Sequence, residues 1–140
     1  YYIARRSPTS NPALYRTRFT AAPGGGAWAT QTDELVEGIE NMQLLYGQDR
    51  EVNPAARPSG YIENFGTADN LILVGTAEET WRRVGMVKVG LLATSPDRSA
   101  VPQATVPLST EGVTFTAPND GRMRTVYESS IALRNRLYGN

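Results

Sequence analysis

Cysteine and histidine are both missing from this 140-residue sequence, and lysine occurs once, at Lys88. Without cysteine there is neither a disulfide framework nor a thiolate metal site. Without histidine there are no imidazole-based triads, no imidazole metal ligands and no usual proton shuttle near neutral pH. A serine nucleophile would have only Lys88 as its base, and the residues around Lys88 read as regular strand, so no hydrolase setting is recognisable. Net charge is missing too: fourteen basic and fourteen acidic side chains cancel, which removes the electrostatic footprint of a dedicated binder of nucleic acid or anionic membrane. No run approaches the roughly 18 to 20 apolar residues that a membrane helix needs.

What is present is enough for one folded domain over residues 1–140, since 40% of the residues are hydrophobic and 20% charged. Tyr1 to Arg6 is aromatic and β-branched, meets the turn-forming stretch Ser7 to Pro12, and is followed by a second strand from Ala13 to Phe19. Together they predict a hairpin. Three glycines, Gly24 to Gly26, mark a flexible loop and, with no lysine after them, no phosphate cradle. Between Asp33 and Gly47 the pattern is double. Leu35, Val36, Ile39, Met42 and Leu45 recur at helical spacing, while Val36, Met42, Leu44 and Tyr46 share strand parity. Gly38 counts against a helix, and the shortness of Met42 to Tyr46 favours strand.

Residues 69 to 75 read as a short buried segment ended by glycine, and Ala77 to Arg83 as one helical turn. Val84 to Thr94 is the clearest strand, with Val87, Val89, Leu91 and Ala93 on one face and Met86, Lys88, Gly90, Leu92 and Thr94 on the other. Pro96 to Pro118 reads as a surface excursion with a short strand near Val113. Asn119-Asp120-Gly121 gives a hairpin-type turn signal. A long final strand follows, with Met123, Thr125, Tyr127, Ser129, Ile131 and Leu133 on one face. The fold class is therefore mainly β, an antiparallel sheet with long loops. A sheet with one apolar face must bury it against something, and these residues offer no amphipathic helix long enough to do so. Because Tyr1 to Ala4 already reads as strand, the expectation is a chain that continues N-terminally into the segment that covers the sheet.

Several residues invite a chemical reading. Glu37 and Glu40 resemble an acid–base pair, but strand parity sends them to opposite faces and nothing nearby in the sequence supplies the burial that such a pair needs. In residues 48 to 60, Asp49, Glu51 and Asn53 alternate as calcium ligands do, yet Arg50 interrupts the pair and Pro54 follows directly, so no metal is carried forward. No cofactor is expected. The arginines at 5, 6, 16 and 18, and at 122, 124, 134 and 136, read as solvated strand faces. Trp28, Trp81 and the tyrosines are candidates for a stacking platform for sugars or bases, with Trp81 more simply packing against the sheet.

Three segments carry a resemblance. They are Glu34 through Gly47 (Leu35, Val36, Glu37, Gly38, Ile39, Glu40, Asn41, Met42 and Tyr46 within it), Trp81-Arg82-Arg83-Val84 followed after a two-residue spacer by Val87-Lys88-Val89-Gly90-Leu91-Leu92, and Tyr127 through Arg136. In this order they resemble the PilW family of type IV pilus minor pilins, which is itself similar to the J-type minor pseudopilins of type II secretion. The resemblance implies a soluble pilin-like domain whose apolar N-terminal helix anchors in the inner membrane and later packs in the filament. It implies a structural, non-enzymatic subunit that primes pilus assembly, with other minor pilins and the major pilin as partners. The implied location is the inner membrane facing the periplasm, then the extracellular pilus tip. The signature residues are expected to serve packing, and Arg134, Asn135 and Arg136 a subunit interface. The alternatives left open are a type II secretion pseudopilin, and a tip adhesin whose loops at 48 to 60 and 95 to 120 meet a surface ligand.

Overall fold

The structure is a computed structural model that describes residues 1–21, 24, 26–100 and 107–133. Strands β1 (Tyr2–Arg5) and β2 (Pro12–Thr20) form the expected hairpin, with Tyr2 opposite Tyr15 and Arg5 opposite Pro12. Their turn is closed locally, where Ser10 N donates to Ser7 O and Ser7 N donates to Ser10 Oγ. β2 continues antiparallel to β3 (Ala29–Glu37), and a bulge between Leu14 and Tyr15 shifts the register within this three-stranded sheet.

Strand parity settles the double pattern between Asp33 and Gly47. β3 runs through Glu37, Gly38 breaks the chain, and β4 (Ile39–Asp49) follows. β4 pairs antiparallel with β5 (Ile62–Gly66), Tyr46 lying opposite Gly66. On its other side lies β6 (Val84–Arg98). Asp49 N donates to Arg83 O at one end and Thr94 N to Gly38 O at the other, so these two strands are antiparallel as well. β9 (Arg122–Ala132) completes a four-stranded sheet in the order β5-β4-β6-β9, and β7 (Leu108–Thr110) pairs with β8 (Val113–Phe115) in a small sheet. The mainly β, antiparallel class read from the sequence is what the chain adopts.

The expected helical turn is α1 (Ala77–Arg82), and its start explains itself. Thr76 Oγ1 accepts from Glu79 N while a Glu79 carboxylate oxygen accepts from Thr76 N, a reciprocal cap that satisfies two otherwise orphaned donors. Residues 69 to 75 differ from expectation. They hold a 3-10 turn (Ala68–Asn70) followed by irregular chain, with Ile72 and Leu73 exposed and Val74 alone of the apolar residues fully buried. An apolar run without a neighbouring strand for its backbone is no buried strand. The Asn119 to Gly121 signal is a turn, as expected, but it does not join paired strands: β8 pairs with β7, and β9 with β6.

The chain packs as two compact units, and β4, β6 and β9 contribute residues to both. In the first unit, which takes in Tyr1–Met42, Leu91–Thr110 and Thr114–Tyr127, the buried residues include Ala13, Ile39, Leu92, Thr94 and Thr110. In the second, Val74 and Val84 are buried beside Gln48, Asp49, Thr80 and Arg83. Inside this second unit Gln48 is matched to main chain: its Nε2 donates to Ile72 O and its Oε1 accepts from Ile72 N, as a strand neighbour would.

Candidate functional site

The signature segment turns on Gly38. Its φ of +84° belongs to the left-handed region, and a Cβ built there would lie 2.6 Å from the main-chain oxygen of Thr94. Its own N–H donates to Pro12 O and its carbonyl accepts from Thr94 N, each at 2.7 Å. Gly38 therefore lets the chain leave the three-stranded sheet and enter the four-stranded one while bonding to both. The residues around it divide by exposure. Leu35 and Val36 are exposed, Ile39 is buried, and Asn41 and Met42 are half-buried. Glu37 and Glu40 do not share a strand as the sequence suggested: Glu37 ends β3 and accepts from Asn11 Nδ2, whereas Glu40 lies in β4 and meets Arg124.

Arg124 corrects a second expectation. Read as part of a solvated strand face, its side chain is in fact only 4% exposed. Its Nε and Nη2 donate to the two oxygens of Glu40, at 2.7 and 2.9 Å, and Nη1 and Nη2 donate to the two oxygens of Asp120, at 2.9 and 2.8 Å. The guanidinium holds the Asp120 carboxyl well below the usual carboxylate range, and Asp120 with Glu40 pushes the Arg124 pKa up. Two carboxylates gripping one planar fork make a rigid bolt, since bidentate pairing fixes orientation as well as charge. Neighbouring Arg122 donates to Asn11 Oδ1 and to Ser95 O. Glu40 and Arg124 also form the polar wall of a cleft of about 340 Å³ whose other walls include Leu92, Leu108 and Phe115. Arg6, Arg16 and Arg18 pair with carboxylates near the surface, Arg6 with Glu34, and Arg16 and Arg18 with Asp33, while Arg5 donates to Ser10 O.

In the second unit the loop after β4 is built around Asp49 and Arg83. Burial pushes the Asp49 carboxyl up, but the N–H groups of Glu51, Ser59 and Gly60 and the Ser59 hydroxyl donate to it and hold it below its ordinary value. Arg83 Nη2 donates to Asn53 O and Ala56 O, so a cationic side chain already gathers the loop carbonyls. Glu51 and Asn53 each turn a side-chain oxygen to an N–H two residues on. The oxygens that alternate like calcium ligands are thus committed within the chain, and among the described residues no cluster of three or more acidic groups is arranged to hold a metal. Trp81 packs on the sheet as expected, edge-on to Tyr46 with ring centroids 4.9 Å apart. Lys88 lies over the Phe65 ring, which gives the lone lysine a structural setting.

Among the described residues, two sheet faces remain bare. In the first unit Leu92 and Thr94 point inward, while Leu91, Ala93 and Ser95 on the other side of β6 are half-buried. Beside them Met123 and Tyr127 of β9 are 59% and 60% exposed, lining with Ala93 and Thr125 an open cleft of about 300 Å³. The face of β9 that carries Met123, Thr125 and Tyr127 therefore combines large apolar side chains with a hydroxyl and is uncovered among the described residues. The second bare face belongs to β1-β2-β3. Tyr2 stacks on Tyr15 with centroids 5.6 Å apart, Tyr15 donates to Glu34, and Thr17 meets Thr32 across the β2–β3 pair. Phe19 lies farther along the same face, opposite Thr30, and exposed Trp28 precedes β3.

Of the signature residues, the structure brings Ile39 and Leu92 into the first unit's core and Tyr46, Trp81 and Val84 into the second's packing. Arg134, Asn135 and Arg136 lie outside the described residues. Sequence reasoning missed the Arg124 pairings and the aromatic row of β1-β2-β3. Of the first, the Glu40 half joins residues 84 positions apart, which no local pattern signals, while the Asp120 half spans only four; the second was visible as period-two alternation of Tyr15, Thr17 and Phe19.

No curated protein and no solved structure matches this chain. A family model does match, that of type IV pilus-assembly protein W, and it covers residues 1–135. The match is continuous across both bare faces, the Gly38 crossover and the Arg124 bolt. This chain belongs to the PilW family of type IV pilus-assembly proteins.

Proposed function

We propose that this chain is a structural minor pilin subunit that helps to prime assembly of the type IV pilus and sits near its tip with other minor pilins. Family membership supplies the involvement in type IV pilus assembly. The observation that supports the finer reading is the face of β6 and β9 where, among the described residues, Met123 and Tyr127 stand exposed and uncovered beside Ala93. A large apolar sheet face is stable in water only at a cost, and such a face marks a surface covered in the working assembly. The apolar N-terminal helix implied by the family resemblance, bundled with the helices of other pilins in membrane and filament, fits such a face. The mechanism is packing: apolar burial holds the subunit in place, and the bonded groups of Arg124 and Asp49 hold the domain's own shape.

The test is piliation. Bacteria carrying Met123→Asp together with Tyr127→Asp in this protein are expected to lose most surface pili by electron microscopy. The purified variant chain should keep the thermal midpoint of the unaltered one, because both side chains are already exposed. Normal pilus number in that strain would overturn the reading.

A further inference from the structure

We propose that the aromatic face of the β1-β2-β3 sheet binds a neutral polysaccharide, a function separate from assembly and independent of the minor-pilin reading. Phe19 is 72% and Trp28 71% exposed, and Tyr2 is 42% exposed where it stacks on Tyr15. Phe19 lies four positions beyond Tyr15, about 13 Å along a strand, so the row outruns a single sugar ring and suits a chain of them.

The groups between the rings name the ligand class. Between Tyr15 and Phe19 this face presents Thr17 on β2 and Thr30, Thr32 and Glu34 on β3, with no aliphatic side chain in that stretch; exposed Leu35 and Val36 follow only past the register shift at the end of β3. Aliphatic residues would mark a face made for another protein core. Rings spaced by hydroxyls instead offer stacking to the flat apolar side of a sugar and hydrogen bonds to its equatorial oxygens. Thr17 and Thr32 hydroxyls lie 3.0 Å apart, and the Glu34 carboxylate accepts from the Tyr15 hydroxyl at 2.7 Å with acceptor capacity left over.

Charge selects among polymers. The ionised groups of this face are Glu34 and Arg6, paired with each other at 2.8 Å, while Arg16, Arg18 and Asp33 lie on the opposite side of the sheet. A face whose charges cancel attracts neither a nucleic acid nor an acidic glycan. A neutral, hydroxyl-rich chain is its electrostatic complement.

The experiment is depletion of the 140-residue chain from solution by two insoluble neutral polymers, cellulose and chitin, with heparin and double-stranded DNA as polyanionic controls. Retention on at least one neutral polymer is expected, with little on the polyanions. Phe19→Ala and Trp28→Ala should each weaken it roughly tenfold, the order of one lost stacking contact, without moving the thermal midpoint. The hexasaccharide of the retained polymer should perturb tryptophan fluorescence in the unaltered chain and not in Trp28→Phe, where Trp81 alone reports. Failure to bind either neutral polymer, binding that survives both substitutions, or preference for the polyanions would overturn the proposal. So would self-association of the free chain that these substitutions abolish, which would assign the face to a second copy.

Discussion

Gly38 concentrates the demands of the fold on one backbone position. A side chain there meets two separate objections, a positive φ that L-residues avoid and a main-chain oxygen 2.6 Å from where the Cβ would stand. Neither is relieved by rotating a flexible group, because the obstacle is the Thr94 carbonyl and not a side chain. Gly38→Ala is therefore expected to cost at least about 2 kcal/mol, the sum of a left-handed conformation forced on alanine and a displaced backbone contact. Urea unfolding followed by circular dichroism would show this as a lowered midpoint with an unchanged slope. A midpoint equal to that of the unaltered chain would mean that the crossover is more yielding than its two 2.7 Å hydrogen bonds imply. Arg124 makes the complementary point. There the residue type supplies charge, fork geometry and length together, and lysine could satisfy neither carboxylate in bidentate fashion.

At the scale of elements, the loop between β4 and β5 is ordered by single side chains rather than by its own sequence preferences. Asp49 accepts three main-chain N–H groups and a hydroxyl, and Arg83 draws two carbonyls inward. Asp49→Ala removes the acceptor for three N–H groups at once, so a loss of about 2 to 4 kcal/mol is expected. The loop should loosen first, and cleavage after Arg50 by an arginine-specific protease should accelerate well before global unfolding. Equal cleavage rates in variant and unaltered chain would show that the loop is held by something other than Asp49. The sequence made Asp49 conspicuous as a calcium-like position that was set aside, and nothing in it signalled the loop-ordering role, because a carboxylate followed by oxygen-bearing residues looks alike whether it awaits a cation or its own backbone. Strand β6 was legible for the opposite reason: period-two alternation from Val84 onward is written in consecutive residues. The β9 pattern was legible as a strand and misleading as a guide to burial, since its shared face is the exposed one. Parity says which residues stand together, while only the partner of a face decides whether they are covered.

For the molecule as a whole, the absent histidine and two firmly held aspartates, Asp120 and Asp49, shape how stability responds to pH. Nothing with an imidazole's pKa is present to titrate between about pH 5 and pH 8, so a broad plateau is expected across that range. Below it, Asp120 and Asp49 come into play. Arg124 holds Asp120 below its ordinary value of 3.8, and hydrogen bonds to Asp49 outweigh the upward push of burial to do the same there. A carboxyl whose folded pKa is depressed binds protons less readily when folded than when unfolded. Its stabilisation is thus fully present above the unfolded value and is lost as pH falls through the folded one. The thermal midpoint should hold level from about pH 8 to 5 and then fall progressively below about pH 4. Asp49→Asn should start from a lower midpoint at neutral pH and fall less on acidification, because part of what acid removes is already gone. If instead the variant and the unaltered chain lose equal stability between about pH 5 and 2, the acid response belongs to other carboxylates and the hydrogen bonds to Asp49 order its loop without setting the pH limit of the fold.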